Sequence, residues 1–252
     1  MTARADRVKL AVPMRARLLA LAVLAGSVTA APRASSGDTT PGFRTLDVGA
    51  KRPAWYHAPK AEARRPLAVF LHGMCALPEW ECPVFQGATS SSWLLCPPGP
   101  AACDGGGAMW VGTGPQLEKR VDKSVALLST SVADKLDLGR RVLIGYSLGA
   151  PAALRIALAQ PGRWQRLMIV NAGTEPSAAQ LRKAGITRVA LVAGEQDATA
   201  AKLKKTQKRL AASGVDARYF SMGKVGHYFD ATSAERLNEA LRWIGADWSS
   251  AD

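Results

Sequence analysis

Arg141-Val-Leu-Ile144 runs straight into Gly145-Tyr146-Ser147-Leu148-Gly149, and a helix-compatible segment continues from 148 to 160. A buried strand, a sharp turn and a helix follow one another there. Gly-x-Ser-x-Gly at such a turn is the nucleophile-elbow pattern. Both glycines have a mechanical purpose, since only a chain without side chains can turn this tightly and hold Ser147 in strained geometry at the top of a sheet. The start of the helix offers N–H groups and a positive dipole end to a developing oxyanion. About 0.1 such pentapeptides is expected by chance in a chain of this Gly and Ser content. The placement between strand and helix therefore carries more weight than the pentapeptide itself.

Outward from the elbow, apolar runs at 67–71, 93–95, 141–144, 167–170 and 189–192 read as strands buried on both faces, as in a parallel sheet covered by helices. Helix-compatible segments lie at 115–137, 148–160, 176–184, 199–213 and 232–245. The stretches 43–48 and 54–57 read as an initial antiparallel pair and 216–221 as a last strand. This alternation predicts an α/β fold, a doubly wound, mostly parallel sheet with helices on both faces, in one domain over 43–248. About eighteen residues separate the strands at 167–170 and 189–192, room for one helix but not for a cap domain. Ligands of such sheets bind at the carboxyl ends of the strands.

A serine hydroxyl needs a positioned base. The chain holds three histidines, His57, His72 and His227, and only His227 follows Ser147. Behind an elbow of this kind the chain order is nucleophile, acid, histidine. The acids in between are Glu175, Glu195, Asp197 and Asp216. Asp197, in the loop after the strand at 189–192, is the first choice, followed by Glu175 and Glu195; Asp216 precedes its strand and belongs at the wrong edge. Leu71-His72-Gly73-Met74-Cys75 ends another strand, so the N–H groups of Met74 and Leu148 are the candidate oxyanion donors. His72 reads as a brace for that loop. The Gly-rich stretch 104–107 lacks the Gly-Lys-Ser/Thr ending of a phosphate loop. Trp110, just beyond it, is either a wall of the substrate pocket or a core residue.

Carried by His72-Gly73, the 145–149 elbow, Asp197 and Gly226-His227 in that order, the chain resembles the α/β-hydrolase family over nearly all of 43–248. It is most similar to the small carboxylesterase and dienelactone-hydrolase-like branch. The resemblance implies hydrolysis of carboxylic esters, thioesters or amides, with no cofactor and no metal. Two features depart from the family pattern: the twice-used Cys-x6-Cys spacing and the run Asp104-Gly105-Gly106-Gly107.

The N-terminus reads separately. Arg4, Arg7, Lys9, Arg15 and Arg17 precede an apolar run at 18–25, and Val28-Thr-Ala30 follows. Residues 1–30 therefore read as a signal peptide and 31–42 as a linker, which predicts a secreted or periplasmic protein; Met14 is an alternative start. No apolar stretch reaches the roughly eighteen residues of a membrane span. Cys75, Cys82, Cys96 and Cys103 then predict two disulfides, because their spacing is too wide for zinc. Cys75–Cys82 with Cys96–Cys103 is the favoured pairing, and Cys75–Cys96 with Cys82–Cys103 stays open. The net charge of +13 has one local concentration, Lys202, Lys204, Lys205, Lys208 and Arg209, interleaved with Leu203 and Leu210 as on a solvated helix face. No nucleic-acid signature accompanies it. The expected activity is that of a serine hydrolase acting on small-molecule or acyl esters. A peptidase or acyltransferase using the same three residues, or a non-catalytic envelope-binding protein of the same fold, are the alternatives.

Overall fold

The computed structural model describes residues 41–60 and 63–248. The segment read as a signal peptide, and nearly all of the linker, lie outside these residues. An eight-stranded sheet forms the centre, in the order β1 (Phe43–Leu46), β2 (Ala54–His57), β4 (Trp93–Cys96), β3 (Arg65–Leu71), β7 (Leu136–Tyr146), β8 (Arg166–Val170), β9 (Arg188–Ala193) and β10 (Asp216–Ser221). From β4 to β10 every pair is parallel, while β2 runs antiparallel to both β1 and β4. A small ribbon of β5 (Ala101–Ala102) and β6 (Ala108–Met109) stands apart.

Successive side chains of a strand point to opposite faces, and β3 shows the result. Leu67, Val69 and Leu71 enter one core with helices α2 (Gly114–Val132), α3 (Gly149–Ala159), α4 (Ala178–Ala184) and α5 (Ala200–Ala212). Ala68 and Phe70 enter the other, under α6 (Ala231–Gly245) and a 3-10 segment at Cys82–Ser90. Helix ends follow their sequence cues: Ser177 and Gln180 form a capping box on α4, and Gly185 closes it in the left-handed conformation. On α5 the five basic residues face solvent and Leu203 and Leu210 are buried, as their spacing predicts. The connection from β8 to β9 holds only α4, so nothing the size of a domain enters there. Among the described residues no helix is long and apolar enough to cross a membrane.

Two expectations need correction. The helix expected to reach 137 stops at Val132, because Ala133 takes a positive φ of 52°. Strand β7 begins at Leu136, and the residues between Asp137 and Arg141 loop out of register with β3. Asp137 accepts the Gly139 N–H at 2.8 Å there, a side-chain turn that competes with helix.

The disulfides are Cys75–Cys103 and Cys82–Cys96, with Cα–Cα distances of 5.6 and 6.1 Å, and so match neither pairing considered from the sequence. A short helix, α1 (Pro78–Glu81), separates Cys75 from Cys82 and carries Cys82 into the core, where the end of β4 presents Cys96. Cys75 is left at the surface turn, facing the ribbon. Gly107 packs so closely there that a Cβ would lie 1.8 Å from the Cys75 carbonyl oxygen.

Candidate active site

The elbow forms at the carboxyl end of β7. Ser147 has a φ of 51°, its N–H donates to Val170 O at 3.0 Å, and its own carbonyl accepts from Ala150 N–H. Each flanking glycine is sterically required. A Cβ on Gly145 would lie 2.4 Å from Ala150 Cα, and one on Gly149 would lie 2.1 Å from Leu71 O.

His227 hangs from the loop between β10 and α6, with Nε2 2.8 Å from Ser147 Oγ and Nδ1 2.6 Å from Asp197 Oδ2. Asp197 sits in the turn after β9, its side chain only 1% exposed. Its other oxygen accepts the Thr199 N–H at 2.7 Å and the Thr199 hydroxyl at 2.5 Å. Burial alone would raise the Asp197 pKa, but the Thr199 and His227 hydrogen bonds outweigh it and hold the carboxyl below its usual range. An ionised Asp197 accepts from Nδ1–H, which leaves the Nε2 lone pair free to accept the Ser147 hydroxyl proton.

The competing acids are engaged elsewhere. Glu175 pairs with Lys202 and Arg209, Glu195 accepts from the Ser221 hydroxyl, and Asp216 pairs with Arg188. Met74 and Leu148 line an open groove of about 580 Å³ together with Ser147, Pro151, Thr199 and His227. Neither the N–H of Met74 nor that of Leu148 meets a backbone acceptor among the described residues. His72 braces the loop. Its Nδ1 donates to Gly73 O at 2.8 Å and its Nε2 accepts from Gly99 N–H at 2.9 Å, while burial lowers its pKa to about 4 against the Gly73 bond and keeps it neutral.

Trp110 corrects the pocket reading. It is 1% exposed, packs in the core beside His72, and is not among the residues that line the groove. Trp110 follows β6 directly and joins the core cluster that holds Leu67, Val69 and Leu71 of β3 and Leu117 and Val121 of α2.

Three residues near the relay carried no sequence signal. Tyr146 stacks on His227 at 5.4 Å between ring centroids and donates its hydroxyl to His227 O at 2.8 Å. Asn171, fully buried, accepts from Gly194 N–H and donates to Gly226 O, tying the ends of β8 and β9 to the His227 loop. Glu81, on α1, accepts the Gly73 N–H at 2.8 Å, one residue before Met74. Burial pushes the Glu81 carboxyl up to about 7, with the Gly73 bond and the charge of His227 pulling the other way.

A folded value near 7 against an ordinary 4.5 means that the folded state holds this proton longer than the unfolded chain. Its contribution to stability therefore falls as pH rises from about 4.5 to about 7 and is level beyond. His72, lowered, gives the opposite slope, so the comparison must be with Glu81→Gln, which keeps the acceptor for Gly73 and removes the ionisation. Urea midpoints measured from pH 5 to 8 should fall more with pH in the wild type than in the variant. Parallel curves would show that Glu81 does not titrate in this range.

Among the described residues no group of three or more His, Cys, Asp or Glu side chains could hold a metal. No protein-family model and no curated protein matches the chain. Solved structures do. One is a fungal esterase from Rhizomucor miehei, with a TM-score of 0.59 and 13% identity over 82% of this chain and 84% of that one. The Pyrobaculum calidifontis esterase gives 0.58 and 14% over 82% and 85%, and a carboxylesterase from Mesorhizobium loti 0.53 and 16% over 77% and 94%. With the sheet order described above, these likenesses identify the α/β-hydrolase fold.

Proposed function

On the premise of an α/β-hydrolase fold, we propose that the chain is an exported serine hydrolase that cleaves carboxylic esters through an acyl-enzyme. The observation that carries this reading is the run of contacts from Ser147 through His227 to Asp197, at 2.8 and 2.6 Å, beside an open groove. Ser147 Oγ attacks the ester carbonyl carbon and its proton passes to His227 Nε2, while Asp197 stabilises the imidazolium. The carbonyl oxygen, now anionic, is received by the N–H groups of Met74 and Leu148. Collapse breaks the ester C–O bond, and His227 returns the proton to the leaving alcohol. Water, activated by the same imidazole, then releases the acid and restores Ser147. Every proton in this sequence is moved by residues of the chain. The structural neighbours are esterases and carboxylesterases, which agrees with an ester as substrate. Export is supported by the two disulfides, which persist in oxidising compartments, and by the signal-like residues 1–30.

A fluorophosphonate probe tests the class directly. The wild type should be labelled and Ser147→Ala should not; labelling of both, or of neither, would remove Ser147 as nucleophile.

The two disulfides should separate by readout. Cys82 and Cys96 lie in the core, so the double alanine variant should lose about 3 kcal/mol of stability with little change in turnover per folded molecule. Cys75 adjoins Met74, so removing Cys75–Cys103 should lower kcat by roughly 10²-fold, the effect of one misplaced oxyanion donor. Equal kcat in the two double variants would detach Met74 from the reaction.

A further inference from the structure

A second cavity, of about 600 Å³, opens near the oxyanion loop. The sheet order places it on the same edge as Ser147. Because β2 runs antiparallel to β1 and β4, the β1–β2 loop emerges where β4 ends, and β4 is parallel to β3 and β3 to β7. Its walls come from residues 50–52, 98–103 and 106–108 and from Arg120 on α2.

Lys51, Arg52 and Arg120 line this cavity and no acidic residue does. Arg52 is partly engaged, donating to Gly106 O and standing 3.6 Å from Glu79. Arg120 is half-buried, its Nε donates to Pro98 O at 3.5 Å, and it has no carboxylate partner among the described residues; burial lowers its pKa. Lys51 likewise has no ion-pair partner among them. A guanidinium withdrawn from water without a counter-charge is costly, and an anion with paired oxygens restores both the charge and the hydrogen bonds.

We infer that this cavity binds an oxyanion, a carboxylate or phosphate group, held by Lys51, Arg52 and Arg120. Gly107 and Cys103 form part of its wall and press on Cys75, so a bound anion sits against the loop that bears Met74. The anion is carried either by an ester substrate extended along the edge, which rests on the proposed hydrolase reading, or by a separate molecule, which does not.

Titrating the wild-type protein with citrate and with inorganic phosphate, by calorimetry at low salt, should give saturable binding at one site. Arg120→Gln should weaken it roughly tenfold, the loss of a charge-assisted contact. Lys51→Gln, on an exposed loop where folding is not at stake, should weaken it as well. Absence of saturable binding, or equal binding by the wild type and both variants, would overturn the site. The source is then read from two esters alike except for a neutral or a carboxylate-bearing end. A rise in KM confined to the carboxylate ester in Arg120→Gln places the anion on the substrate, whereas citrate altering both esters alike places it on a separate molecule. Binding of citrate by a protein that turns over no ester would keep the site and remove the hydrolase reading.

Discussion

Ser147→Ala is expected to lower kcat for ester hydrolysis on the order of 10⁶-fold, and His227→Ala by about as much. The two groups act as one, because the hydroxyl is inert until the imidazole 2.8 Å away takes its proton. The double variant should therefore be no slower than either single one, its residual rate coming from the oxyanion donors and the groove. Single-turnover and steady-state rates on one soluble ester decide this. Effects that multiply in the double variant would mean that the two residues serve separate steps. Folding should be unaffected in both, since neither side chain is part of either hydrophobic core.

Asp197→Asn should cost on the order of 10⁴ in kcat while leaving the shape of the site intact. The amide can keep the contact with His227 by turning its own N–H₂ toward Nδ1. That makes Nδ1 the acceptor and moves the imidazole proton to Nε2, where it faces Ser147 and blocks proton uptake. Glu175→Gln is the control. Its carboxylate is exposed enough to pair with Lys202 and Arg209 on α5, so turnover should change less than about twofold. A larger loss from Glu175→Gln than from Asp197→Asn would transfer the acid's role to the earlier strand.

Strands β3, β4, β8 and β9 and the second half of β7 were readable because each is buried on both faces and so leaves a continuous apolar run. That Ser147, His227 and Asp197 come together was readable for another reason. The elbow fixes the position of Ser147 by its steric demands, a chain with three histidines leaves one after it, and strand polarity sorts the acids by sheet edge. Glu81, Tyr146 and Asn171 were hidden because their roles depend on through-space contacts with the His227 loop or with Gly73, which no local pattern encodes. The disulfide pairing was missed for a similar reason. The four-residue α1 is too short to show a helical period, yet it decides that Cys82 points inward and Cys75 outward. Trp110 stayed open between pocket wall and core because the strands just before it, two residues each, are too short to leave a period.

The Cys75–Cys103 link has a temporal meaning as well as a mechanical one. It joins the segment bearing Met74 to a chain portion 28 residues later, and nothing in a reducing compartment would close it. A chain folded there would carry Ser147, His227 and Asp197 in place, since these depend on β7, β9 and β10, while the loop opposite them stayed untied. On the proposed export, oxidation would follow translocation and be the last act of assembly. On that reading the protein would work more slowly, by the roughly 10²-fold of one untied oxyanion donor, until it is oxidised, with the redox potential serving as its timer.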